Sequence, residues 1–460
     1  VALEADAAGQ VVARLNGHWF SLGGFGASVA KRLNDLRVGV PLAAFASGRP
    51  SIKGLGPLAL RLARHGLMEF CLKAPRNHED QVVIEPQTAD YWPGTARLDN
   101  TDVVVLSRFA YMRRRGNEMV LESPRARALF KICDPQIAAA VAALSTPQSV
   151  GRLRRDGFSG SELLGLLADC QIIFKVDVRN DIGLRQVEGD ESLVFWDFHD
   201  LLFHSRSTEG RQANPLGGVY PHLGFAAPLP AIRPAWPGKK ISLRARPAVG
   251  SHELSPLTKL LRERHSTRAF DDERPITIAE LARFLENTAR VLSKGTADAD
   301  GGPTLGYTVR PYPCAGASYE LELYLAVDKC DGLARGFYHY DADEHALVPV
   351  GVGTAELEAL LTGSRFAMDA PAVPQILITI AARFGRMSWK YSSLAYALIL
   401  KDVGVLTQTF YLMATQMGLG GCAIGAINID LFAKITGIEF HIEGPVGQFA
   451  LGRGLQSPVS

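Results

Sequence analysis

The sequence predicts an α+β chain with two small modules ahead of a larger C-terminal domain. Three observations lead there. The order strand, turn, strand, helices, strand occurs twice before residue 185, at comparable length. From Ser251 onward helical and strand patterns mix in one longer stretch. The 460 residues, 47% hydrophobic and 21% charged, suit about three units at roughly 150 residues each, and exclude disordered and fibrous classes.

The first pass reads as a strand at Gln10–Leu15, an Asn16–Gly17 turn into His18–Leu22, helices over 26–36 and 55–65, and an apolar strand at Leu67–Leu72. Asn-Gly between alternating runs is a strong hairpin signal. Pro75 to Pro93 is polar and turn-rich, as a linker would be. The second pass runs from Asp102–Leu106 through a polar turn at Arg113–Asn117 and a strand at Glu118–Glu122. Helices follow near Pro124–Cys133, Pro135–Leu144 and Ser159–Asp169, then a strand at Ile172–Val176. Units of two strands and three helices suggest winged-helix-like domains at 1–75 and 98–185, used for protein binding or dimerisation. Arg113–Arg115 and Arg152, Arg154 and Arg155 form the basic clusters, read first as solvated faces and second as a greeting for an acidic peptide. With 49 Lys+Arg against 47 Asp+Glu, nothing calls for nucleic acid as the main partner.

Residues 186–250 form a connector rich in Pro, Gly and aromatics. Its run Phe195–His204 is too apolar for a free linker and is expected to strap across a domain. His199 and His204 stand at i, i+5, which is not the facing pair of a helical zinc site, so packing is favoured over metal binding. The six cysteines are far apart with no CxxC, giving neither a zinc site nor a disulfide framework and fitting a reducing cytoplasm. No run reaches ~18 uninterrupted apolar residues. The chain opens at Val1, which leaves a preceding targeting segment open.

The C-terminal domain, 251–460, reads as helices at Leu254–Arg264 and Ile278–Leu292, strands at Leu321–Asp328 and Ile376–Ala382, and a hairpin from Phe337–Tyr340 to Leu347–Val350. A long apolar helix from about Tyr391 to Met417, with Gly404 in its middle, is expected at the domain centre or a dimer seam, and a last strand at Gly447–Leu451.

Four features there carry chemistry. Arg264, Ser266 and Arg268, at a helix end, offer two guanidinium forks and a hydroxyl to one phosphate. Tyr312–Ser318 contains Pro313, Cys314, Ala315 and Gly316, a turn whose small side chains admit a planar ligand; the plain alternative is an ordinary loop. Met417–Gly425 is a glycine-rich exit from the long helix, not a dinucleotide fingerprint, because it follows a helix and lacks the spacing. Trp389-Lys390-Tyr391 places an ammonium beside a phenol, a pair able to serve as a general base; adjacent residues of this kind are more often structural.

In this order the four features resemble the nitroreductase-like flavoprotein superfamily, and within it the SagB-type azoline dehydrogenases, most of all the cyanobactin oxidase branch. The resemblance spans roughly residues 190–453 and rests on the Trp196–Ser207 run, Tyr312–Ala317, Gly336–Tyr340, Trp389–Tyr391 and Ile399–Gly404. The paired N-terminal modules are similar to the tandem peptide-recognition-like domains of that branch. Two departures stand out: Cys314 replaces the family's common serine, and Ser392-Ser393-Leu394 stands where the microcin-type branch is Arg-rich.

The resemblance implies FMN at a homodimer interface, each site built from both chains. Arg264, Ser266, Arg268 and Arg453 would hold the phosphate, Pro313 through Gly316 would border the isoalloxazine, and Ala423, Ile424 and Gly425 would lie near its reactive edge. Lys390 and Tyr391 would be the catalytic pair, taking a Cα proton while a thiazoline or oxazoline of a ribosomally made peptide becomes aromatic. A cyclodehydratase is the implied partner; neither nucleic acid nor membrane is. The alternatives are an NAD(P)H-dependent nitro or quinone reductase of the same fold, a peptide-binding scaffold of a heterocyclase complex, and, more weakly, a DNA-binding redox regulator.

Overall fold

The computed structural model describes residues 2–6, 8–15, 18–46, 55–64, 67–74, 78–88, 91–155, 161–176, 188, 190–208, 222–233, 235, 237, 239, 241–243, 254–298 and 303–455. The chain divides into two compact units, 1–213 with 428–430, and 214–427 with 431–460.

In the first unit, β1 (Ala2–Ala5), β2 (Gln10–Leu15) and β3 (His18–Gly24) form an antiparallel sheet, followed by α1 (Ala27–Ala30), α2 (Leu33–Val38), α3 (Leu42–Ala46) and α4 (Leu55–Arg64). The helix expected over 26–36 is broken between α1 and α2, and the Asn16–Gly17 turn lies outside the described residues. Leu55, Leu58 and Leu62, at i, i+3 and i+7 on α4, share a core with Val11, Ala13 and Leu22.

A three-stranded sheet, β10-β6-β11, comprises β6 (Val103–Leu106), β10 (Gln148–Ser149) and β11 (Ile173–Lys175). Its core is shared with α5 (Pro135–Ala143), α6 (Val150–Arg155) and α7 (Ser161–Asp169). A five-stranded sheet, β4-β5-β9-β8-β7, joins β4 (Phe70–Lys73), β5 (Asp80–Pro86), β7 (Tyr111–Arg115), β8 (Glu118–Glu122) and β9 (Ala128–Ile132).

Three readings change in that sheet. The presumed linker contains β5, whose Val82, Val83 and Ile84 are buried. The presumed turn at Arg113 is strand as far as Arg115, where Gly116 with φ 59° reverses the chain. Ala128–Ile132, expected to be helical, is a strand because it pairs on both sides, with β5 and β8, and pairing overrides weak local preference. The sheet therefore crosses the gap between the two expected modules. The basic residues here meet acids: Arg113 pairs with Glu122 at 2.7 Å and Arg115 with Glu85 at 2.5 Å.

The aromatic run of the connector, expected to strap across a domain, is largely helical. Glu191–Phe195 form a 3-10 turn and Phe198–Ser207 form α8. Arg108 donates to the carbonyls of Leu193 at 2.5 Å and Trp196 at 3.0 Å, and Arg206 pairs with buried Glu122 at 2.8 Å. His204 is buried in a stack on Trp196, while His199 is exposed.

The second unit is built on a six-stranded antiparallel sheet ordered β16-β15-β14-β17-β19-β18. These are β14 (Leu321–Val327), β15 (Gly336–Asp341), β16 (Ala346–Val350), β17 (Ile376–Arg383), β18 (Gly420–Ile424) and β19 (Glu443–Gly452). A separate ribbon pairs β12 (Ser293–Asp298) with β13 (Thr304–Val309). The helices are α9 (Pro256–Glu263), α10 (Ile278–Thr288), α11 (Thr354–Met368), α12 (Phe384–Ser388), α13 (Ala395–Gln416) and α14 (Ile429–Thr436). β17 is buried from Ile376 to Ala382, which explains a run that is apolar but for Thr379.

The long helix α13 has the length and mean hydropathy, 1.2, of a membrane span. Yet it is two-sided. Ala395, Tyr396, Ile399, Asp402, Leu406, Phe410 and Ala414 are buried, whereas Ala397, Lys401, Gly404 and Gln408 form an exposed stripe at i, i+4, i+7 and i+11. It begins at Ala395, not Tyr391, because Ser393 takes φ 61° and interrupts the turn.

Candidate active site

Two clusters in the second unit gather the predicted site residues. The first is centred on a residue that sequence reading missed, Tyr411 of α13. Its hydroxyl accepts from the Ala423 N–H at 2.8 Å and lies 2.9 Å from Ser266 Oγ, while the Arg264 guanidinium sits over its ring at 5.0 Å. The Thr267 N–H donates to the Gly421 carbonyl at 2.8 Å, fastening the chain after α9 to β18. Arg264 and Arg268 have no ion-pair partner among the described residues, and Arg268 is exposed near Cys422.

The glycine-rich exit from the long helix contains the edge strand β18. Glycine is normally poor strand material. Here it is required by packing: a Cβ on Gly421 would strike the Phe449 ring, and one on Gly420 would strike the Thr267 side chain. Within this stretch Ala423 and Gly425 are exposed and Ile424 is buried.

Arg453 stands apart in its bonding. Its guanidinium holds both oxygens of Glu280, at 2.8 and 2.7 Å, and donates to the Arg274 carbonyl at 3.0 Å. Partial burial opposes the charge on Glu280, but hydrogen bonds from Arg453 and Thr277 outweigh it and hold the carboxyl below its ordinary range. Glu280 also closes the capping box of α10 with Thr277. Gln375 ties the region together, accepting from the N–H groups of Ile276 and Arg453 at 3.0 and 2.9 Å and donating to the Asp271 carbonyl at 2.7 Å.

The second cluster joins the 313–316 turn to Lys390 and Tyr391. These two residues follow α12 and hang from the Met387 carbonyl, to which both N–H groups donate, at 3.1 and 3.0 Å. Phe384 and Met387 are buried and anchor that short helix. The Lys390 ammonium donates to the Gly316 carbonyl at 3.1 Å and lies 5.5 Å from the Tyr391 ring centre. Gly316 has φ 57°, and a Cβ there would collide with the Tyr391 hydroxyl and the Lys390 Nζ. Arg386, also missed in the sequence, braces the arrangement by donating to the carbonyls of Ser318 at 2.8 Å and Gly306 at 2.7 Å.

Beneath the turn, Asp402 of α13 accepts from the Ala315 N–H at 3.1 and 3.2 Å. Cys314 Sγ lies 3.2 Å from both Asp402 Oδ2 and Glu320 Oε2. Pro313 and Gly316 are exposed at the surface of this turn. A cavity of about 330 Å³ beside β15, lined by Arg335, Phe337, Tyr338, Val350 and Leu357 among others, contains none of these residues.

The sequence pattern of the nitroreductase family matches residues 261–453, and that described as Cyanobactin oxidase ThcOx matches residues 104–213. The Methanocaldococcus jannaschii protein MJ1384, described as a nitroreductase, is 30% identical over 203 residues, 44% of this chain and 92% of its own. The chain belongs to the nitroreductase family. As a member it is an oxidoreductase, and nitroreductase-family proteins typically use flavin cofactors.

A further relative of this nitroreductase-family chain is the Escherichia coli Microcin B17-processing protein McbC, 29% identical over 162 residues. That match covers 34% of this chain and 59% of McbC, less than two thirds of its length. Among solved structures, a chain of the E. coli microcin synthetase McbBCD complex with truncated pro-MccB17 bound aligns at TM-score 0.41 and 22% identity, over 58% of this chain and 97% of that one.

The donor set suits a phosphate-bearing flavin cofactor. Among the described residues, two guanidinium groups without carboxylate partners flank a hydroxyl within five residues, as a phosphate needs.

Proposed function

We propose that this oxidoreductase is an FMN-dependent azoline oxidase, converting thiazoline or oxazoline rings in a ribosomally made peptide to thiazole or oxazole. One observation carries the reading: a single chain joins a nitroreductase segment, 261–453, to a segment matching the cyanobactin oxidase family, 104–213. The relative named for processing microcin B17 supports a peptide substrate, and a cyclodehydratase is the proposed partner. The first unit, as a winged-helix-like peptide-recognition region over the expected modules 1–75 and 98–185, would hold the peptide's leader.

In this reading Arg264, Ser266 and Arg268 hold the FMN phosphate, the Pro313–Gly316 turn borders the ring system and Ala423–Gly425 lies near its reactive edge. Arg453 is left out of the phosphate set, because its guanidinium already serves Glu280. The exposed stripe of α13, with Gly404 open on its surface, supports a homodimer whose two chains complete each site.

The flavin, when bound, supplies the two-electron acceptor that ring oxidation needs. The chain's own contribution is orientation and proton transfer. Tyr391 takes the Cα proton of the azoline, which the adjacent C=N makes acidic, and the Lys390 ammonium stabilises the phenolate that acts as base. The Gly316 carbonyl holds Lys390, and Arg386 holds the turn that presents that carbonyl. The gain of aromaticity in the product ring drives the step.

The test is mass spectrometry of an azoline-containing peptide after incubation with the FMN-loaded protein. A loss of two hydrogens per ring, absent with Lys390→Ala, is expected. The second reading, a nitro or quinone reductase, is favoured by the 30% identity to a protein described as a nitroreductase; NADPH-dependent reduction of a nitroarene with no change in the peptide mass would establish it instead.

A further inference from the structure

Under the 313–317 turn three ionisable side chains meet with too few protons for their contacts. Cys314 Sγ lies 3.2 Å from Glu320 Oε2 and 3.2 Å from Asp402 Oδ2, and it accepts from the Tyr319 N–H at 3.0 Å. A thiol has one hydrogen to give. If both carboxylates were ionised, one of the two S···O contacts would set lone pair against lone pair, between two buried carboxyl groups.

The surroundings decide which carboxyl carries the missing proton. Asp402 receives the Ala315 N–H on both oxygens, as a carboxylate does. Glu320 is 0% exposed, and its Oε1 has no hydrogen-bond partner among the described residues. Paired carboxyls in a shared dry site separate in just this way, one charged and one neutral.

We propose that Glu320 carries a proton in the working protein, donating it to Cys314 Sγ while the thiol donates to Asp402, and that this relay fixes the turn whose Gly316 carbonyl holds Lys390. Glu320 and Asp402 are then positioning residues; neither touches substrate. The charge balance agrees. Burial pushes Glu320 up to about 7, with the Asp402 charge adding and its own N–H, the thiol and Arg310 opposing. Burial likewise pushes the Cys314 thiol up. The other groups facing the cluster are Tyr312, buried, and Tyr319, whose ring lies under Arg310 at 5.7 Å.

The link from the proton to catalysis rests on the role proposed for Lys390 and Tyr391; the proton itself does not. Infrared spectroscopy of the full chain, titrated from below to above pH 7, tests the proton without any substrate. A carbonyl stretch of a protonated buried carboxylic acid should be present at low pH, fade through about 7 and be missing from Glu320→Gln. Its absence from the wild type at every pH, or its survival in Glu320→Gln, overturns the assignment, as does a divalent metal copurifying in stoichiometric amount. Absence of the band from the wild type remains decisive if the variant does not fold.

Turnover tests the positioning. The wild type should lose about tenfold as Glu320 ionises and the turn loosens, whereas Glu320→Gln should stay level across that range. Parallel pH profiles for the two proteins would overturn the positioning role. Failure to oxidise azolines at all would sink the substrate reading and leave the infrared result standing.

Discussion

The Lys390 ammonium and the Gly316 carbonyl are joined by a hydrogen bond of 3.1 Å, and the glycine has no side chain because that space is taken by Lys390 and Tyr391. The relation explains a glycine at φ 57° better than backbone freedom alone. Gly316→Ala should displace both side chains by about an ångström and lower kcat on the order of 10²-fold, a cost typical of such misplacement. Its stability cost should be only about 1–2 kcal/mol, the penalty of a left-handed alanine. Steady-state kinetics beside a thermal melt separates the two.

Tyr391→Phe removes the proposed base, and Lys390→Ala removes the cation that supports it. Each should lower turnover about 10²–10⁴-fold, the range of general acid–base catalysis. Both side chains lie at the surface of the turn, Lys390 exposed and Tyr391 half-buried, so folding and flavin colour should survive. A colourless Lys390→Ala protein would reassign that lysine to cofactor binding.

Arg264 and Arg268 should differ from Arg453. Losing one charge-assisted contact costs about 1.5–3 kcal/mol, so Arg264→Ala or Arg268→Ala should weaken FMN binding roughly ten- to a hundredfold. Arg453→Ala should leave FMN affinity within about threefold of wild type and instead destabilise the fold by about 1 kcal/mol, the scale of a partly exposed pair. Fluorescence titration of FMN into the apoprotein ranks the three variants.

The Arg453–Glu280 pair also sets a pH dependence of stability. The folded carboxyl lies below its ordinary 4.5, so its contribution is complete above that value and is lost as pH falls through the folded one. The acid limb of Tm against pH should therefore be shallower in Arg453→Ala than in wild type. Identical limbs would show that the pair contributes nothing to folding.

Much of the second unit was legible in the sequence because its strands are apolar runs bounded by turns. Ile376–Ala382 and the hairpin of β15 and β16 are found where their patterns place them. What escaped was set by contacts distant in sequence. β18 is hidden by glycines that only the Phe449 and Thr267 side chains explain, and β9 is a strand only because β5 and β8 flank it. The site was legible in part. Arg264, Ser266, Lys390 and Tyr391 carry visible chemistry, whereas Tyr411, Arg386 and Glu320 matter through partners 12 to 145 residues away or through burial. Asp402 left one trace, the only carboxyl in a largely apolar helix.

The most direct test of the oxidase account is the visible spectrum of the FMN-loaded protein under anaerobic conditions, recorded before and after adding an azoline-containing peptide. Bleaching by the peptide, with conversion of its ring to the azole and none with Tyr391→Phe, is the predicted result. A spectrum that the peptide leaves unchanged and NADPH bleaches would contradict the account and identify a reductase.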